Sequence, residues 1–560
     1  MCGIWALFGC SDDNCMSKMV PDIFKIRHRG PDAFSMLSVG PFENCVLGFV
    51  RLSVVDPQHG MQPLKLKQHE HLFMVYNGEV YNYRQLKQQH GFNFETSCDT
   101  EIILHLYAKG GIEFCVKQLY GVFAFILADV KNNKVFYVRD TFGVRPLFTI
   151  EHMPASENVG FGAAASEMKA LTHALASCPP DSATIQPHPP GHFSEFDLTK
   201  RGSLRFVRRE RFHTIGDMPG YKVDEVNNSW TAEEKVRHAL TNAVDIRMLA
   251  DCKIGCMLSG GLDSSLVCAL VKQQMAKWGH DYELETFAIG LDKNSTDLVA
   301  AQKVADYIGT KHHSIVKSSA DFLAVVDRVI HQIESYDVTT VRASTGMYLV
   351  SQYIKEQSDC KIIFSGEGAD ELCQGYIYFH NAPSPKEAAV ESMRLMKDLH
   401  FYDVLRADRT TAGHGLELRV PFLDHYLTHI YTALPDELKQ PINKVEKFTL
   451  RKAFDGSDLI PKEILWRPKE AFSDGVSSIE RPWFAILQDH IETIISDDEL
   501  ATASKTYNHN PPQTKEALYY RKKFLQSYPS LDHLIPYMWM PKWCGEQVNP
   551  SARVLTHFQA

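Results

Sequence analysis

The chain opens Met1-Cys2-Gly3-Ile4-Trp5, and Cys2 becomes a nucleophile with its own base once the initiator methionine is trimmed. The freed α-amino group, with a pKa of about 7.7–8.0, can take the thiol proton near neutral pH and return it later. On its own a cysteine at position 2 can be chance; the order of the motifs downstream gives it weight. Far along the chain lies Ser259-Gly260-Gly261-Leu262-Asp263-Ser264-Ser265. Its glycines let the backbone turn sharply and present N–H groups, its serines add hydroxyl donors, and a helix starting there adds partial positive charge. That is a cradle for a polyanion, most naturally pyrophosphate, with Asp263 placed to hold a bridging magnesium ion. A Walker A loop is excluded, because it needs a Gly-Lys pair and the chain has none. A second cluster, Ser365-Gly366-Glu367-Gly368-Ala369-Asp370-Glu371, offers Asp370 as a second magnesium carboxylate. Glu367 sits where an incoming nucleophile is oriented or deprotonated. The plain alternatives are a glycine turn at a helix N-cap for the first cluster and a solvated acidic turn for the second.

Both clusters follow short apolar runs, Ile254–Leu258 and Lys361–Phe364. These runs alternate with helical patterns such as Glu233–Leu249 and Ser264–Lys277, which predicts an α/β domain with a parallel sheet and helices on both faces. Parallel strands carry their carboxyl-end loops on one edge, so the two clusters should face one pocket. Residues 1–210 read differently. Short β-type runs (Val46–Val50, His71–Tyr76, Val122–Leu127, Val135–Val138) are separated by turns such as Asp56-Pro57 and Asn132-Asn133. This predicts an α+β domain with stacked antiparallel sheets. The polar stretch Thr214–Thr231, with Gly216, Pro219 and Gly220, reads as a linker. The expected organisation is residues 2–210, a linker over 211–231, and a second domain over 232–560.

The length, 560 residues, calls for two cores. A net charge of −9 gives no basic footprint and argues against a nucleic-acid binder. The apolar start ends at Asp12 and Asp13, which is no signal peptide, and no apolar run reaches spanning length. Thirteen scattered cysteines read as reduced cytosolic thiols. Cys252 and Cys256 should flank a strand as thiols rather than metal ligands, since no histidine pair lies at finger spacing. Gly160-Phe161-Gly162-Ala163-Ala164-Ala165 fits GxGxxA but opens no βαβ unit, and Ser166-Glu167-Met168-Lys169 fits SxxK without its companion motifs. Neither is expected to be a site.

Taken together, the loops resemble the nucleotide-pyrophosphatase type of ATP site. With Cys2 at the head, the chain resembles the glutamine-dependent asparagine synthetases, animal type, over nearly its whole length. The amino-terminal half carries the marks of class II (N-terminal-nucleophile) glutamine amidotransferases: Cys2-Gly3-Ile4, His28-Arg29-Gly30-Pro31-Asp32, Arg51 to Asp56, Asn77-Gly78-Glu79 and Asp99. The other half adds both loops, Phe287 to Gly290, Gly375 to His380, Leu418 to Asp424 and Glu446-Lys447. Leu372-Cys373-Gln374-Gly375 departs from the Phe-Gly of bacterial relatives.

The resemblance implies roles. Cys2 attacks the glutamine amide, and Asn77 with the N–H of Gly78 forms the oxyanion hole. Arg51 and Asp99 bind the α-carboxylate and α-ammonium, with Leu52, Ser53, Val54, Val55 and Glu79 completing the glutamine site. ATP lies against Leu258, Ser259, Gly260, Gly261, Asp263, Ser264, Ile289, Ser365 and Gly366. Asp263 and Asp370 bind Mg2+, Lys447 neutralises phosphate charge, and Glu367 assists attack on the acyl-adenylate. Ammonia released inside the protein and kept dry stays the reactive base. Aspartate is the acceptor, and a homodimer in the cytosol, with no nucleic acid or membrane partner, is the family expectation. Another amidotransferase has no use for the SGGLDSS loop, a β-lactam synthetase lacks the terminal cysteine, and a silent scaffold would not need every catalytic side chain.

Overall fold

A computed structural model describes residues 1–10, 13–42, 44–152, 160–179, 181–199, 202–218, 220–221, 229–470, 472–477, 481–545, 547–551 and 553. Residues 219 and 222–228 of the expected linker lie outside that set. The chain divides into two compact units. The first is Met1–Val223 with the short segments Leu249–Cys252 and Ala412–Leu416; the second holds the rest.

Eleven strands are described in the first unit: β1 Gly3–Phe8, β2 Ala33–Ser38, β3 Cys45–Arg51, β4 Leu72–Val80, β5 Gly121–Asp129, β6 Lys134–Arg139, β7 Phe148–His152, β8 Phe161–Ala165, β9 Ile185–Pro187, β10 His192–Leu198 and β11 Leu204–Arg211. They form a sheet ordered β2-β3-β1-β8-β7-β9 and another ordered β11-β10-β6-β5-β4. Every pairing within them is antiparallel. Ile4, Ala6 and Phe8 of β1 share one buried cluster with Phe49, Val75, Ala124 and Ile126. The two-residue period of each strand thus fills the layer between the sheets. The alternate residues of β1 are buried too: Trp5 donates its indole N–H to the Ala170 carbonyl at 3.0 Å. The GxGxxA stretch is simply β8, an antiparallel partner of β1 and β7. The SxxK serine accepts the Ile4 N–H at 3.0 Å, which ties β1 down.

The second unit is built on β12 Ile254–Met257, β13 Glu285–Gly290, β14 Lys311–Val316, β15 Ile362–Phe364 and β16 Glu417–Arg419. Their order is β14-β13-β12-β15-β16, and all neighbours are parallel. The chain winds outward from β12 one way and then, through β15, the other way. Right-handed crossovers then distribute the connecting helices over both faces. Between β12 and β15 the winding reverses, and there the loops after the strands splay apart and leave a crevice. One expectation is corrected: Cys256 does not flank β12 but lies within it, buried and paired opposite Thr286 and Phe364. The strand begins at Ile254, so the register puts this thiol in the sheet.

Candidate active sites

In the first unit, Cys2 immediately precedes β1, and pairing of Gly3 with Val50 carries it to the end of β3. The half-buried Cys2 Sγ accepts the Leu52 N–H at 3.4 Å and lies 3.6 Å from the Leu52 carbonyl oxygen. Its backbone is anchored from the other side. Arg29 Nε donates to the Cys2 carbonyl at 3.0 Å, and the same guanidinium pairs with the fully buried Glu167 at 2.7 Å. Lys169 and His28 also meet Glu167, at 2.7 and 3.1 Å. The motif residues His28 and Arg29 therefore help fix the position of Cys2.

Arg51, 6% exposed, donates to the backbone carbonyls of Asp56 at 2.5 Å and Pro57 at 3.0 Å. Among the described residues no carboxylate pairs with it. A buried guanidinium without a counter-charge is costly unless a ligand supplies one. Asn77 on β4 is 1% exposed, and neither its amide nitrogen nor its amide oxygen has a hydrogen-bond partner. Gly78 has φ +149° and runs so close to β5 that a Cβ would stand 2.1 Å from the Val122 carbonyl oxygen. Only glycine fits there. Asp99 accepts the Val80 N–H at 2.7 Å, next to the Asn77-Gly78-Glu79 run, in which Glu79 is also buried. Ser53 donates its N–H to Asp32 at 2.8 Å, and Leu52, Val54 and Val55 are buried beside it.

In the second unit, a cavity of about 190 Å³ opens over the carboxyl ends of β12, β13 and β15. Leu258, Ile289, Phe287, Met347 and Val350 give it an apolar wall; Ser259, Gly261, Asp263, Ser264, Ser365, Gly366, Glu367 and Asp370 come from the two loops. The sequence-derived residues are thus brought together, with one exception. Gly260 does not line the cavity. Its φ of +73° turns it toward the helix Thr296–Ile308, where a Cβ would fall 2.4 Å from the Ala301 nitrogen. The first loop is held by its own serines, with Ser259 Oγ and Ser264 Oγ 3.0 Å apart and the Gly261 N–H donating to Ser259.

Lys447, 1% exposed, stands between the loops, ion-paired to Asp263 and, at 2.6 Å, to Asp370. Burial opposes its charge, yet the two carboxylates outweigh burial and raise its pKa. Burial alone would likewise push Asp370 up, but Lys447 and Lys469 hold it well below the usual carboxylate range. Asp263 Oδ1 is buried and without a hydrogen-bond partner. Burial raises the pKa of Glu367, with Asp403 adding to the effect and Arg406 opposing it at 2.8 Å. Arg406 also clamps Asp403 at 2.6 Å, and the Tyr376 hydroxyl donates to Glu371 at 2.6 Å and Asp403 at 3.0 Å. Sequence reasoning missed Lys469, Arg406, Asp403, Asp297 and Arg467, all on the cavity wall. Each comes from a segment with no glycine turn or repeat to flag it.

Comparison with known proteins gives a family model for each half of the chain. Residues 1–187 match the glutamine amidotransferase domain model, and residues 235–395 and 382–550 match the asparagine synthase model. The asparagine synthetase [glutamine-hydrolyzing] of Gallus gallus is 50% identical over 570 residues, covering 100% of this chain and 99% of that protein. The proteins of the same name from Cricetulus griseus and Homo sapiens are 49% and 48% identical, with the same coverage. The chain belongs to the glutamine-hydrolysing asparagine synthetases.

Proposed function

We propose a division of labour between the two units. The first unit hydrolyses glutamine to glutamate and ammonia; the second joins aspartate to ATP as β-aspartyl-AMP with release of pyrophosphate, and ammonia converts the adenylate to asparagine with release of AMP. A carboxylate does not accept ammonia directly because oxide is too poor a leaving group, whereas AMP leaves readily. The carrying observation is the single cavity lined by both loops, with Lys447 between Asp263 and Asp370.

In the first unit the Cys2 thiol attacks the glutamine carbonyl, its proton going to the α-amino group exposed by loss of Met1. The unpartnered Asn77 amide and the Gly78 N–H receive the developing oxyanion. The unpaired charge of Arg51 takes the α-carboxylate, and Asp99 takes the α-ammonium. In the second unit Lys447 neutralises charge on the departing pyrophosphate. Glu367, held by Arg406, orients ammonia and accepts a proton as the C–N bond forms.

The donor set fits magnesium. Carboxylates outnumber cationic side chains in the cavity lining, and a divalent cation would favour entry of a polyanion there. Asp263 and Asp370 would hold the ion, which would supply positive charge for the phosphates. We also place the protein in the cytosol, supported by its cysteine usage, and assign a homodimer on the family resemblance.

Incubation with α-labelled ATP, aspartate and glutamine tests the reading. Labelled AMP should rise in step with asparagine and only with aspartate present; labelled ADP would overturn it.

A further inference from the structure

A group of histidines in the first unit has no part in either substrate site. His105, 3% exposed, lies on the helix Glu101–Gln118. Its ring is stacked with Phe92 at 5.0 Å and with Phe94 at 5.3 Å between centroids, which fixes its plane. Nε2 faces Glu101 Oε1 at 3.1 Å. That carboxylate also accepts the Glu95 N–H at 2.7 Å and the Thr96 N–H at 2.8 Å, so it is an acceptor throughout. The His105 proton therefore sits on Nε2, and Nδ1 keeps its lone pair. The lone pair faces Nε2 of the half-buried His69 at 3.2 Å.

A histidine with one nitrogen tied to a carboxylate and the other aimed at a shared point has the form of a metal ligand with its outer partner. Two imidazole nitrogens, each about 2.0–2.1 Å from one tetrahedral ion, stand about 3.3 Å apart. His69 and His105 already have that separation. At rest His69 Nε2–H donates to His105 Nδ1. For a metal to enter, that proton moves through solvent to His69 Nδ1, and both rings stay neutral.

The loop that carries His69 is placed without help from this pair. The N–H groups of Lys67 and Gln68 donate to Glu95 at 3.2 and 3.1 Å, and the Gln68 side chain donates to the Asn93 carbonyl at 2.9 Å. A third imidazole stands close by. The ring of His71 lies 6.4 Å from that of His69 and edge-on to it. No three such donors converge among the described residues, so His71 must rotate inward to complete the set. A plain hydrogen bond between two rings needs neither the carboxylate behind His105 nor a further histidine beside His69.

We propose that His69 and His105, joined by His71 on loading, bind a divalent transition metal of the zinc class, with Glu101 as the outer partner and water as the fourth ligand. Imidazole donors suit Zn2+ and its neighbours rather than Mg2+. The ion would join the loop of His69 to the helix of His105, and through Glu101 to the turn at Glu95 and Thr96.

The test uses the full-length protein without an affinity tag, stripped of metal by a chelator. Zn2+ affinity is read by competition with a chromogenic chelator, and Co2+ absorption reports the ligand type. The parent should take up Zn2+ at micromolar concentration. Outer partners of zinc-bound histidines are worth about ten- to a hundredfold in affinity, so loss of a ligand itself should cost at least that. His69→Gln and His71→Gln should each weaken Zn2+ binding by about tenfold or more. The Co2+ spectrum of the parent minus that of His69→Gln should show nitrogen ligation. Glutamine hydrolysis at the parental rate in both metal-free variants controls for folding. Unchanged Zn2+ affinity in either variant, or a parent that takes up no Zn2+ at micromolar concentration, would overturn the proposal. So would a thiolate band in the difference spectrum, which would place the metal on cysteine.

Discussion

A Cβ placed on Gly366 would stand 2.8 Å from the Cβ of Asp263 and 3.0 Å from the Ser264 nitrogen. The loops after β12 and β15 therefore touch at the point where the sheet reverses its winding, and Gly366 is the residue that permits it. Gly366→Ala should force the Asp263 loop outward at an overpacking cost of about 1–3 kcal/mol. Synthesis should fall about tenfold or more whether nitrogen comes from glutamine or ammonium, while glutamine hydrolysis persists. Parallel assays of glutamate and asparagine check this; equal loss of both would show that the variant had lost its fold.

Cys2→Ala should abolish glutamine hydrolysis and glutamine-dependent synthesis but keep synthesis from ammonium at high pH. Cys2→Ser should be nearly as damaged, because a hydroxyl has negligible anion population near neutral pH. Mass spectrometry of the amino terminus should find Met1 absent from the active protein. Glutamine use surviving in Cys2→Ala would move the nucleophile elsewhere.

Lys447 and Glu367 should separate by step. Lys447→Ala should stop adenylation itself, seen as loss of aspartate-dependent exchange of pyrophosphate into ATP. It also leaves Asp263 and Asp370 facing each other without the lysine that bridges them. Glu367→Ala should retain glutamine hydrolysis while asparagine formation collapses. Normal asparagine output from Glu367→Ala would refute its assigned role.

Asp297, 5% exposed, has its pKa raised from 3.8 to about 7 by burial, with Arg467 opposing the rise. Between these values the folded chain holds a proton that the unfolded chain has lost, so the group's contribution to stability falls as pH rises through that window. Asp297→Asn should remove this slope. Its thermal midpoint relative to the parent should climb between about pH 4 and about pH 7 and level off above. A constant difference across that range would show that Asp297 does not titrate there.

The sequence revealed the parts of the site whose chemistry is local. A serine-glycine loop after an apolar run is recognisable within seven residues, and both loops lie at the ends of the expected strands. The hidden parts depend on distant contacts. Arg406 meets Glu367 only because the helix Asp403–Ala412 packs under the second loop, and Lys469 reaches Asp370 from a segment with no regular structure of its own. Gly260 sits inside the motif expected to hold ATP, but it is not among the residues that line the cavity. Its positive φ seats the loop on the neighbouring helix, a packing role that spacing alone does not encode.

The strand order also has a consequence for how the protein is made. Strand β12 leaves the ribosome long before its neighbour β15, and until then one side of β12 has unpaired backbone donors and acceptors. Sheet interiors that wait for a late partner fold slowly and attract other extended chains meanwhile. The nascent second unit is therefore a natural client for chaperones, and a polypeptide stopped before Ile362 carries the Ser259–Ser265 loop on a raw sheet edge.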